Sequence, residues 1–162
     1  MNNINTMNNN TEINNSPTSP STNNINIRIA TLNCNGLAKV SKPNIRCDMT
    51  RFFRESLFNI MCLQETHTSD ENIINTLEHQ LRTRSAIWTP HCGIVSLNQD
   101  IQLHQIETSS LDGRIILAKI THVEQYYKPF YILNIYAPAE DGNVKHLFFP
   151  TYPVLIQSYC RI

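Results

Sequence analysis

The chain has 162 residues, enough for one domain, and its 13 Lys and Arg side chains balance 13 Asp and Glu to a formal net charge of zero. That balance excludes attraction of a polyanion by the charge of the molecule as a whole, so any nucleic-acid binding must be local. Five cysteines, Cys34, Cys47, Cys62, Cys92 and Cys160, are odd in number and lack a C-x-x-C pair, which argues against a disulfide framework and a zinc site.

A reducing intracellular setting, nuclear or cytoplasmic, is therefore expected. No basic leader with an apolar core opens the sequence, and no apolar stretch reaches the length of a membrane span. An unsecreted protein without a membrane partner is expected.

Residues 1–26 are dominated by Asn, Thr, Ser and Pro, with Glu12 their only charged side chain. Apolar residues occur there only singly and cannot offset the entropy of ordering, so a disordered low-complexity tail is expected. Ordered sequence starts at "INIRIATLN", where Ile25, Ile27, Ile29 and Thr31 alternate with Asn26, Arg28, Ala30 and Leu32. This is a strand pattern that becomes apolar on both faces toward its end.

Ser41 and Pro43 then signal a helix start, with Ile45, Met49, Phe52, Phe53 and Leu57 as a core stripe at helical spacing through about Phe58. "IMCLQ" reads as the second strand. Directly after it, Thr68-x-x-Glu71 has the form of a capping box ahead of a helix whose apolar face is Ile73, Ile74, Leu77 and Leu81. Short strands are expected at "AIW", "GIVSL" and "IQLHQI". After the turn signal Asp112-Gly113, "RIILAKI" and "FYILNIY" form a hairpin across the loop from Glu124 to Pro129.

The order strand, helix, strand, helix, then several strands predicts mixed α/β, with helices packed outside sheet material. Polar residues close several of these strands: Asn33 the first, Glu65 the second, Asn134 and Tyr136 the last. In layered α/β proteins, strand ends from different segments commonly assemble a site. Each residue alone also has a structural reading. Asn33 and Asn35 flank Gly36 in a turn, Glu65 is the first solvated residue before a helix, and Tyr136 is an aromatic with a satisfied hydroxyl. Lone histidines such as His67 and His122 read as structural or exposed.

Taken together, "IRIATLNCNGL", "IMCLQETH", "DGRIILAKI" and "FYILNIYAPAED" resemble, in order and spacing, the first half of the endonuclease/exonuclease/phosphatase superfamily. The flavour is that of the apurinic-type endonuclease domain of LINE-like retrotransposons. The resemblance spans about Ile25 to Asp141, and "LQETH" with "NIYAP" is its most specific part. It implies a DNase I-like four-layer α-β-β-α sandwich and magnesium-dependent hydrolysis of a phosphodiester, with manganese as an alternative cation and DNA favoured over RNA as partner. By the same resemblance, Glu65 and Asn33 sit at the metal, and the Tyr136 hydroxyl approaches the scissile phosphate. Asn35 stands where many members carry aspartate, while Asn134 and Arg114 match recurrent positions expected to be architectural first.

The chain departs from the family pattern in three respects. Ala139 replaces an asparagine that helps hold the phosphate. Neither the "GDxN" nor the "SDH" motif, which supply the family's general base, occurs in the sequence. "LFFPTYPVLIQSYCRI" falls where relatives place an amphipathic helix, yet Pro150 and Pro153 would disrupt one.

The expected organisation is accordingly a tail over 1–26, a partial domain over 27–149 lacking the C-terminal half, and an atypical end over 150–162. The family reading frame is expected to be lost near Phe149. Hydrolysis by this chain is expected to be impaired, and the alternative is a catalytically inactive retrotransposon-derived remnant or a nucleic-acid interaction module. An unfilled sandwich predicts self-association through its exposed apolar face.

Overall fold

A computed structural model of the chain describes residues 26–107 and 112–137. Residues 1–25 of the expected tail over 1–26, Ala139, and the atypical end over 150–162 lie outside the described residues. The described elements run β1 (Ile29–Asn33), α1 (Pro43–Glu55), β2 (Ile60–Gln64), α2 (Glu71–Leu81), β3 (Ala86–Trp88), β4 (Cys92–Ser96), β5 (Ile101–Glu107), β6 (Ile115–His122) and β7 (Phe130–Ile135). They make a mixed α/β arrangement of two sheets and two helices, with strand orders β1-β2-β4-β3 and β5-β6-β7.

β2 occupies the interior of the first sheet, parallel to β1 and antiparallel to β4. Its unbroken apolar run follows from burial on both faces. Ile60 and Cys62 join Ile94, Ile116, Ala118 and Ile120 in a core between the sheets. Met61 and Leu63 join Phe53, Leu77, Leu81 and Val95 in a second core beneath the helices. Three layers result: helices, sheet, sheet. The β6–β7 hairpin pairs from Ile115↔Ile135 to Ile120↔Phe130, as the sequence predicts.

Gly93 lies opposite Trp88 in the β3–β4 pair. A Cβ there would come within 2.5 Å of the indole, so the missing side chain is what lets Trp88 lie across the sheet. The Trp88 Nε1–H then donates to Glu78 Oε1 at 3.1 Å and ties β3 to α2.

Four expectations need correction. β1 is apolar on both faces in sequence, yet Ile29 and Leu32 are exposed, because β1 is an edge strand whose described neighbour is β2 alone. In α1, Phe53 and Met49 enter the core, whereas Phe52, at 64% exposure, and Leu57, at 76%, do not. Adjacent residues stand about 100° apart on a helix, so one packing direction cannot bury both phenylalanines. The N-terminus of α1 falls at Lys42, without a side-chain cap, rather than at Ser41.

The fourth correction concerns α2, which is capped by Asp70, whose Oδ1 accepts from Asn72 N at 2.7 Å and Ile73 N at 3.4 Å. Thr68 is instead buried, with its Oγ1–H donating to Thr89 O at 2.8 Å. A hydroxyl that fastens the chain to a neighbouring turn is not available to cap a helix.

Candidate functional site at three strand ends

Parallel pairing brings the ends of β1 and β2 to the same edge of the first sheet, with Asn33 opposite Gln64. Glu65 follows Gln64 and leaves the sheet with φ 51°, and His67 has φ 54°; both angles are unusual for residues with a side chain. The β1–α1 connection and the turn before β4 hold that backbone from two sides. Glu65 O accepts from Gly36 N at 2.7 Å and Leu37 N at 3.3 Å, while Thr66 N donates to His91 O at 3.2 Å and Thr68 N to Pro90 O at 3.3 Å. Asn35 and Gly36 are themselves left-handed, at φ 46° and 78°. A Cβ on Gly36 would meet His67 Nδ1 at 3.1 Å, so the glycine serves both the backbone angle and the close approach of the imidazole. Such conformations persist where surrounding bonds over-determine them, and they cluster at functional sites.

The second sheet contributes Tyr136, directly after β7. Its hydroxyl donates to Glu65 Oε1 at 2.9 Å, and Asn33 Nδ2 donates to the same oxygen at 3.0 Å. The orientation of the Asn33 amide is fixed by its other end, since Asn33 Oδ1 accepts from Asn35 N at 3.0 Å. Turning the amide over would oppose like poles at both contacts. The two donors, Asn33 first and then Tyr136, hold the Glu65 carboxyl below the usual carboxylate range. Burial, together with the carboxylate, raises the Tyr136 phenol, so it remains a proton donor. Among the described residues, no donor reaches Glu65 Oε2 within hydrogen-bond distance.

Arg114 approaches the same tyrosine. Its Cζ lies 5.3 Å from the Tyr136 ring centroid, and its carbonyl accepts from Tyr136 N at 2.8 Å. Asn134, one turn of the pleat earlier, is buried and crosses between the sheets. Its Nδ2 donates to Leu63 O at 3.0 Å and Gly93 O at 2.9 Å, and its Oδ1 accepts from Gln64 Nε2 at 2.5 Å. These bonds satisfy the amide inside the core and lock β7 over β2 and β4, which sets where Tyr136 can stand. Asn35 contributes through its backbone: besides the N–H given to Asn33, its carbonyl accepts from Lys39 Nζ at 2.6 Å.

Three of the residues singled out in sequence, Asn33, Glu65 and Tyr136, thus converge on one carboxylate oxygen. Arg114 stands beside them, Asn134 behind them, and Asn35 beneath Asn33. Two histidines join the cluster, His67, which the sequence reads as structural or exposed, and His91, which it does not single out. His67 lies over Gly36, and the His91 ring centroid is 6.0 Å from that of Tyr136. His91 opens the way into β4, and an antiparallel strand begins where its neighbour β2 ends. Pairing direction was the signal that would have found it.

Comparison of the chain with protein-family models and with curated proteins finds no match.

Proposed function

We propose that the chain carries the cation and phosphate side of a magnesium-dependent phosphodiesterase of the endonuclease type, acting on nucleic acid, DNA before RNA. The observation that carries this reading is the pair of donors on Glu65 Oε1, which orients the carboxylate and leaves Oε2 without a donor among the described residues. On the same reading the architecture is a DNase I-like sandwich, of which the described layers would be three, and the protein works inside the cell.

Among the described residues, no group of three or more His, Cys, Asp or Glu side chains is placed to hold a metal ion. Magnesium does not require one, because it binds through one or two carboxylates and retains water and substrate oxygens as ligands. An open carboxylate oxygen beside an amide therefore fits magnesium, or manganese in its place, and does not fit a closed zinc site. Glu65 would hold the cation, with Asn33 contributing the second lone pair of its Oδ1 or, through Nδ2, keeping Glu65 in place. When bound, such a cation supplies Lewis-acid stabilisation of charge on phosphoryl oxygens. Tyr136 has one hydroxyl proton, given to Glu65 in the free protein, and donates to a phosphate oxygen only on leaving it. Arg114 adds a fixed positive charge beside that hydroxyl.

Cleavage of supercoiled plasmid and of abasic duplex in magnesium tests the reading. Cleavage by the wild-type protein, impaired as it is expected to be, should depend on Glu65, with Glu65→Ala slower by at least about 100-fold, the upper end of losses for groups that merely support a metal ligand. Equal cleavage by the two proteins would remove Glu65 from the mechanism.

A second reading is favoured by the lack of "GDxN" and "SDH" in the sequence. On that reading the chain is an inactive remnant or a nucleic-acid interaction module. Metal-independent oligonucleotide binding without cleavage would select it.

A further inference from the structure

We propose that the His91 imidazole and the Arg114 guanidinium, which both approach the Tyr136 ring, form a seat for a phosphodiester oxygen, and that filling this seat is coupled to proton uptake by His91. The inference rests on the phosphodiester reading of the Glu65 site and deepens it, by assigning a substrate contact to a residue that no sequence motif marks.

The geometry comes first. His91 sits in the turn between β3 and β4, where its carbonyl is held by Thr66 N at 3.2 Å. Its ring is tilted 33° to the Tyr136 ring, at a centroid distance of 6.0 Å. Arg114 lies 5.3 Å from the same aromatic centroid. Two nitrogen-rich side chains therefore lie within about 6 Å of the ring of the tyrosine whose hydroxyl reaches Glu65. The one salt bridge among the described residues is Arg51–Asp48, so Arg114 has no carboxylate partner there at ion-pair distance.

The charges that face His91 come from each segment packed around it. The β2–α2 connection brings His67, the turn before β6 brings Asp112 and Arg114, and β7 is followed by Tyr136. Partial burial lowers the His91 pKa most, the Arg114 and His67 charges lower it further, and Asp112 opposes them. A histidine held below its ordinary value is predominantly neutral at pH 7.

A phosphodiester reverses that balance. Its negative charge offsets Arg114, and one of its oxygens accepts a hydrogen bond from the protonated ring, so the bound state favours imidazolium. Proton uptake must then accompany binding, and binding must weaken as pH rises. Nothing covalent changes in this step: the proton comes from solvent and resides on the imidazole.

The test is fluorescence anisotropy of the full chain with a labelled single-stranded oligonucleotide at constant ionic strength, from pH 5.5 to 8, with EDTA and again with magnesium. Wild-type affinity is expected to fall at least threefold across this range. His91→Gln is expected to bind with an affinity that no longer follows this slope, and Glu65→Gln to retain the slope. Failure of the carboxylate reading, seen as equal cleavage by wild type and Glu65→Ala, is thus separable from failure of this one. Imidazole NMR of the wild-type protein needs no variant: the His91 titration midpoint should move upward on adding the oligonucleotide. No binding at any pH, a slope unchanged in His91→Gln, or a midpoint that stays in place would overturn the proposal.

Discussion

Glu65 Oε1 accepts from an amide that closes β1 and from a phenol that follows β7. Both donors favour the charged carboxylate, which accounts for the direction of its pKa. Their contribution to stability is present at pH values above the unfolded-state carboxyl value and is lost as pH falls through the lower folded-state value. Tyr136→Phe removes one donor without altering ring packing, so the Glu65 carboxyl should titrate at a higher pH than in wild type. Carbon-detected NMR of the side-chain carboxyl reads this directly, and an unmoved titration would mean that the phenol does not bear on the carboxylate.

Asn33, Glu65 and Tyr136 were visible in the sequence as polar residues closing apolar strands, which must find partners at a sheet edge, but only the family resemblance of their motifs taken together singled them out as one site. His91 was not legible, since its proximity depends on β4 running antiparallel to β2. Apolar periodicity reports that a strand exists but not its direction.

Among the elements, the strands were read closely, "IMCLQ" coinciding with β2 and "AIW" with β3. The helices were placed but their details were not. Thr68-x-x-Glu71 and Asp70 are both acceptable helix starts by residue type, and the choice was made by the Thr89 carbonyl, which engages Thr68 from a turn 21 residues away. Asp70→Ala should therefore destabilise the protein by about 1 kcal/mol through loss of the N-cap. Urea denaturation measures it, and an Asp70→Ala protein as stable as wild type would contradict this assignment of the cap. In α1, periodicity marked an apolar stripe wider than the face that packs. Choosing Phe53 over Phe52 needs the position of the sheet, which local sequence does not contain.

At the scale of the whole molecule, two apolar cores are stacked through β2 and β4, one between the sheets and one beneath the helices. Asn134 is a buried polar link between the sheets. Among the described residues, no helix is long and apolar enough to cross a membrane. β1 exposes Ile29 at 45% and Leu32 at 36% beside an edge unpaired among the described residues, a combination that favours strand addition. Sedimentation velocity should accordingly show concentration-dependent association, and the double variant Ile29→Lys, Leu32→Lys should suppress it. Association unchanged in that variant would place the contact elsewhere.

The cation carboxylate at the ends of β1, β2 and β7 is the central claim, and manganese titration followed by electron paramagnetic resonance tests it without requiring turnover. Wild-type protein is predicted to bind manganese saturably, with displacement by magnesium, and Glu65→Gln to bind at least about tenfold more weakly. Equal affinity in the two proteins, or binding that magnesium does not displace, would contradict the assignment of Glu65 as the cation ligand.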